Sequence, residues 1–173
     1  MKNYITELSL PQKAKLAGVL YLLLCIAGGW GHGGVRFAMI DYGNATQTAE
    51  TLLAAKTMFN SGILADLIAQ IIMIFLPLAL YQLFKSVNKS MALLMVIAGY
   101  IGIPITCINM LNQMAAVMIL AEPEYLKVFD SNQLQALATL FLNLQKYGYL
   151  IAHIFFGIWL FPMGYLVYKS EFL

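Results

Sequence analysis

Among the side chains of this largely apolar chain able to ionise, grip a ligand or hydrogen-bond away from water, eight stand out as candidates for a site: His32, Arg36, Asp66, Gln70, Asn109, Asn112, Gln113 and His153. Their spacing is informative. His32 and Arg36 are four apart, as are Asp66 and Gln70, and Asn109 and Gln113. Residues at that spacing share one face of a helix. Asp66 is the natural counter-charge for Arg36 or for a protonated His32. Such a set can do three kinds of chemistry. It can tie helices together by hydrogen bonds and one ion pair, each worth about a kcal/mol. It can line a pocket for a lipid or small amphiphile. Its two histidines can also serve as metal or haem ligands from facing helices, zinc then needing a third ligand such as Asp66 or Glu122.

Which of these is open depends on the elements that carry the residues. The 173-residue chain is 61% hydrophobic and 10% charged, whereas soluble domains carry about 25% charged residues. Residues 147–168 hold no formal charge, and about 20 apolar residues suffice to cross the ~30 Å hydrocarbon layer as a helix. Three further stretches are comparable. The pattern predicts an all-α, polytopic transmembrane bundle forming a single domain over 1–173, with spans at about 13–39, 60–84, 91–121 and 147–169. Short amphipathic helices are expected at the interface over 46–58 and 132–146. The second of these either lies at the surface or runs on into the fourth span. One helix over 132–169 would be ~57 Å long and would have to protrude or bend. Gly28 to Gly34 includes five glycines in seven residues, a stretch that lets another helix approach or loosens its own. Pro77, Pro104 and Pro162 interrupt three later spans.

Depth brings the eight residues together. His32 and Arg36 fall near the end of the first span, Asp66 and Gln70 near the start of the second. Asn109, Asn112 and Gln113 fall in the later part of the third span, and His153 early in the fourth. In an up-and-down bundle all four helices then present polar groups at one level, and the other half of the bundle is apolar. Ionisable residues at membrane depth need a partner or a water-filled cavity. The expectation is therefore an inward polar cluster with Trp30, Tyr42, Tyr147, Tyr149 and Trp159 as aromatic walls.

Positive charge sets orientation. With the N-terminus inside, Lys2, Lys13, Lys15, Lys85, Lys89 and Lys169 lie on the cytoplasmic side, against Arg36, Lys56, Lys127 and Lys146 outside. Both termini are expected in the cytoplasm. The first apolar run reads as a retained helix, because no small-residue cleavage site follows it. Cys25 and Cys107 read as buried packing thiols. The net charge is +2 with no basic run, which argues against a nucleic-acid partner. No phosphate-binding glycine loop, G-x-S-x-G, H-E-x-x-H or C-x-x-C occurs, so soluble-enzyme signatures are missing.

The phrases KAKLAGVLYLLL (13–24), FNSGILADL (59–67), LYQLFKSVNKSMALL (80–94), NMLN (109–112) and the stretch 134–173 resemble a bacterial membrane family known as domain of unknown function 4386. The resemblance runs through most of the chain in the family's order. It implies a polytopic protein of the bacterial inner membrane and no particular activity or cofactor. Relatives continue past the equivalent of Phe172-Leu173 into a further apolar helix. The glycine-rich segment around His32 is less uniform among relatives, so the resemblance gives His32 no role.

The sequence thus points to a non-enzymatic membrane protein that binds or senses a lipid-like or small ligand in an outer polar pocket, or acts as a scaffold. A histidine-ligated haem or metal protein and a small transporter or channel are the alternatives. Membrane lipids, a small amphiphile and a second copy of the chain, through Gly28, Gly29 and Gly33, are the expected partners.

Overall fold

The computed structural model describes residues 8–170. Lys2 and Phe172-Leu173, used above, lie outside the described residues. Five helices account for nearly all of the described chain: α1 (Leu10–Met39), α2 (Ala45–Ala54), α3 (Lys56–Phe84), α4 (Lys89–Leu120) and α5 (Ser131–Lys169), with a 3-10 turn at Glu124–Leu126. Four of them, α1, α3, α4 and α5, are long and apolar enough to cross a membrane. The protein is a multi-pass, all-α membrane protein.

The helix starts follow from local chemistry. Asn44, Asn88 and Asp130 each accept a hydrogen bond from the backbone N–H three residues on, at 3.0, 3.0 and 2.9 Å. Each thereby satisfies one donor that the first turn of a helix leaves without a partner. The Asp130 amide in turn donates to Gln133 Oε1 at 3.0 Å, completing a capping box. The end of α4 is equally defined. Glu122 takes a left-handed conformation, φ 48°, and Pro123 follows, which cannot continue a helix.

Of the two expectations for the 132–146 segment, a surface helix or a run-on into the fourth span, the structure has the second: the segment is the first part of α5, a continuous helix of 39 residues, about 58 Å long. Pro162, expected to interrupt the span, lies inside it without ending it, and Gly148 serves a packing contact described below. The expected interfacial helix over 46–58 ends at Ala54; Ala55 leaves helical geometry at φ −122°, ψ 40°, and the next span begins at Lys56. α2 packs against α5, which covers part of the length that a bilayer core would not.

α1 is irregular where its glycines lie. Gly29–Arg36 is π-helical, and the Phe37 amide donates to the His32 carbonyl five residues back. Such wide turns inside helices concentrate at functional sites. The stretch also permits close approach: a Cβ on Gly31 would lie 2.5 Å from Asp66 Oδ1 and 3.0 Å from the Gly62 carbonyl oxygen. Both readings of the glycine-rich segment therefore hold at once.

In the bundle α3 packs on α1 and α4, and α4 packs along α5. α1 and α5 meet through side chains, with the Tyr21 and Trp159 rings stacked at 6.4 Å. The core is two apolar clusters, one around Leu76, Met95 and Leu166, the other around Phe59, Ala116 and Leu142. Along the helices Asp66, Gln70 and Asn109 fall between the two, and Arg36 and Gln113 sit among residues of the second, all of them buried. Cys25 and Cys107, expected inside, are exposed. In a membrane helix an apolar residue is as stable against lipid as against protein, so apolarity alone does not tell the inside from the outside.

Candidate functional site

Arg36 closes the π-helical turn and is 4% exposed. Its guanidinium holds the Asp66 carboxylate with two prongs, Nη1 to Oδ2 and Nη2 to Oδ1, the latter at 3.2 Å. Asp66 Oδ2 also accepts from Gln113 Nε2 at 3.5 Å. A buried carboxylate and guanidinium are each costly alone, and this arrangement matches them charge for charge. Gly31 and Gly62 make the pairing possible, because the α1 and α3 backbones approach where a side chain on either would collide.

The same guanidinium fixes an imidazole. Arg36 Nε and Nη2 lie 3.3 and 3.2 Å from His32 Nδ1. A guanidinium can only donate, so His32 Nδ1 accepts and Nε2 carries the proton. His153 is set the other way. Its Nδ1 lies 2.8 Å from the Tyr149 carbonyl oxygen, which can only accept, so Nδ1 carries the proton and donates. The Tyr149 ring sits against both, with centroids 5.2 Å from His32 and 4.3 Å from His153. Arg36 Cζ lies 5.2 Å from the same ring.

Because α1 and α5 touch through side chains, a cleft of about 450 Å³ opens between them. His32 and Arg36 line it from α1, and Lys146, Tyr149 and His153 from α5, with Tyr42 at one end. Phe37 and Leu150, also lining residues, are 78% and 65% exposed, so the cleft opens sideways out of the bundle. Asp66 does not line it. The Lys146 ammonium lies 4.6 Å from the centre of the Tyr42 ring, and among the described residues no carboxylate comes within ion-pair distance of it. Burial pushes the Tyr42 phenol above its usual range, with the Arg36 charge opposing.

The sequence model of a family described as a domain of unknown function (DUF4386) matches residues 16–173. The chain belongs to this family. No curated protein and no solved structure matches it. Membership in DUF4386 thus brings no assigned activity, and the reading of the site rests on its geometry.

The eight residues expected from the sequence divide by position. His32, Arg36 and His153 reach the cleft. Asp66 and Gln113 stand behind its wall as the partners of Arg36. Asn109 and Asn112 lie at the contact of α4 with α5: Asn109 Nδ2 donates to the Gln145 carbonyl at 2.8 Å, and Asn112 Nδ2 to Asn109 Oδ1 at 3.0 Å. Gln70, one turn from Asp66, is buried, and its Oε1 has no hydrogen-bond partner among the described residues. Of the aromatic residues, Tyr42 and Tyr149 reach the cleft, Trp30 Nε1 donates to Ser61 Oγ at 3.1 Å, Trp159 is buried in an apolar cluster and Tyr147 is exposed.

Lys146 is the residue that sequence reasoning assigned only to topology. Its signal was present: Lys146, Tyr149, Leu150 and His153 follow the i, i+3, i+4, i+7 pattern of one helix face, legible once α5 is read as continuous.

The donor set does not fit a histidine-ligated metal or haem. Tyr149 packs against both imidazoles, and His32 would have to give up its bonds from Arg36 to offer Nε2 as a ligand. Among the described residues no group of three or more His, Cys, Asp or Glu could hold a metal.

Proposed function

We propose that this protein binds a lipid-like amphiphile, taken from the surrounding bilayer into the cleft between α1 and α5, and acts as a binding or sensing protein rather than a catalyst. The observation that carries the reading is the form of the cleft. It has polar and basic groups at its wall, apolar flanks at Phe37 and Leu150, and a sideways opening between two helices. Its volume of about 450 Å³ lies within the ~300–1,000 Å³ usual for ligand sites. An acyl chain can enter such an opening without crossing water, while its head stays beside Lys146.

In this reading the protein sits in a bacterial inner membrane with both termini in the cytoplasm. The support is the lysine-bearing connection between α3 and α4, with Lys85 and Lys89, together with Lys13, Lys15 and Lys169 at the same end of an up-and-down bundle. Gly28, Gly29 and Gly33 have nothing within 4 Å of where a Cβ would stand, so they are free to pack against a second copy.

Photolabelling tests the binding reading. The full chain in nanodiscs is exposed to a trace of phospholipid carrying a diazirine on its acyl chain, and labelled peptides are mapped by mass spectrometry. Label concentrated on 37–42 and 146–153, and displaced by excess unlabelled lipid, is the expected result. Label spread evenly over exposed residues of α3 and α4, such as Ile71 and Ile108, refutes it.

A further inference from the structure

The cleft wall carries His32, Arg36, Lys146 and His153 and no carboxylate. The Arg36 charge is already matched by Asp66, which leaves Lys146 as the unmatched charge. Among the described residues its ammonium has the face of Tyr42 beside it and no carboxylate within ion-pair distance. A cation held at the mouth of a cleft favours an anion there.

The two histidines add a finer requirement. With Nδ1 occupied by Arg36, the free edge of His32 is an Nε2–H donor. With Nδ1–H given to the Tyr149 carbonyl, the free nitrogen of neutral His153 is an acceptor. One wall thus offers a positive charge, a donor and an acceptor. A zwitterionic choline head meets that wall with a quaternary ammonium that repels Lys146 and with no hydrogen to give. A carboxylate supplies charge but no hydrogen. A phosphate monoester supplies both, because with a second pKa near about 6 it carries an ionised oxygen and, for part of the time, a P–OH.

Position along the membrane agrees. Lys146 and Lys169 are 23 residues apart on α5, about 34 Å at 1.5 Å per residue, close to one hydrocarbon thickness. With Lys169 at one boundary, Lys146 lies at the other, at headgroup level. His153 lies about 10 Å deeper along the helix, and Tyr149, between the two, lines the cleft with them.

Resting on the binding reading above, we infer that the occupant of the cleft is a lipid with a phosphate monoester head, its charged oxygens on Lys146 and His32 Nε2–H and its P–OH on His153 Nε2.

Native mass spectrometry of the full chain in detergent tests this with three lipids of identical acyl chains. Phosphatidic acid has charge and a donor, phosphatidylmethanol has charge without a donor, and phosphatidylcholine has no net charge. The wild-type protein is expected to prefer phosphatidic acid over phosphatidylcholine by about tenfold, the worth of one charge-assisted hydrogen bond, and over phosphatidylmethanol several-fold. Lys146→Met is expected to abolish the preference for both anionic lipids, with Lys146→Arg restoring it. His153→Phe is expected to remove the advantage of phosphatidic acid over phosphatidylmethanol alone. Equal binding of all three lipids to the wild type, lost in Leu150→Trp, overturns the headgroup inference and leaves the cleft as an amphiphile site. Adducts that ignore Leu150→Trp overturn both readings. Displacement of phosphatidic acid by an equal concentration of glycerol 3-phosphate overturns the lipid source in favour of a free phosphate. The lipid comparison on the wild-type chain stands even where a variant does not fold.

Discussion

The Arg36–Asp66 pair is the feature on which the bundle is most exposed to damage. Replacing Asp66 with leucine leaves a guanidinium 4% exposed with only the His32 ring nitrogen to accept from it. It also leaves Gln113 without its acceptor. Stranding one member of a buried pair costs about 3–5 kcal/mol, and the two hydrogen bonds lost from a charged group account for a similar sum at about 1.5–3 kcal/mol each. Arg36→Met strands the carboxylate instead, with the 3.5 Å contact from Gln113 as its remaining hydrogen bond. Replacing both, Arg36→Met with Asp66→Leu, removes both charges from the apolar layer and keeps most of the volume. Such exchanges are often neutral or stabilising. The double variant is expected within about 1–2 kcal/mol of wild type, and the coupling energy from the cycle at about 3 kcal/mol or more. Equilibrium unfolding of the full chain in mixed micelles, followed by far-ultraviolet circular dichroism, measures all four proteins. A cost below about 1 kcal/mol for Asp66→Leu, or a double variant as unstable as the two singles summed, refutes the pairing.

Two further outcomes follow from local geometry. A Cβ on Gly148 would overlap the Asn109 carboxamide, so Gly148→Ala is expected to cost about 1–3 kcal/mol in the same unfolding measurement. Gly157→Ala, on the same helix with open space around it, is expected to be neutral or slightly stabilising through helix propensity. The Tyr42 phenol is pushed above its ordinary value of 10.0 by burial. The folded state therefore holds that proton more tightly than the unfolded state. Its share of stability is complete below about pH 10 and is lost as pH rises through the folded value. Unfolding midpoints taken up to strongly alkaline pH should fall less steeply in Tyr42→Phe than in wild type.

Much of this was legible in the sequence, for identifiable reasons. The four spans follow from runs with no charge, and the shared depth of Arg36 and Asp66 follows from counting residues along antiparallel helices. Their pairing is then nearly forced, because each is costly alone in lipid. Helix phase was less legible. Cys25 and Cys107 face outward although their neighbours are apolar, since lipid removes the contrast that marks an inside face in water. The π-helical register of Gly29–Arg36 had only its glycines as a signal, and glycine content alone cannot distinguish a wide turn from a close helix contact. The continuity of α5 was left open by its length: a helix that outruns the bilayer core invites a break, and none occurs because α2 packs beside it. The role of Lys146 was lost with that continuity.

The polar layer is better understood as two devices sharing one residue than as a single cluster. On one side of Arg36 lie Asp66 and Gln113, which satisfy the guanidinium and tie α1 to α3 and α4. On the other lies His32, whose tautomer the guanidinium dictates. A π-helical turn suits this position, because it carries four glycines, Gly29, Gly31, Gly33 and Gly34, around His32 and ahead of Arg36. Gly31 gives the backbone its close approach to α3, while the side chain of His32 remains on the cleft. A regular α-turn would have to place the same groups with five-residue bonds replaced by four-residue ones, rotating the residues that follow. Stability and recognition therefore part at Arg36. Removing both members of the ion pair can restore the fold, but it cannot restore the donor that holds His32 Nδ1, and the imidazole is then free to take either tautomer. The charge pair matters to the fold through its balance, and to the cleft through the one edge of the guanidinium that Asp66 leaves unused.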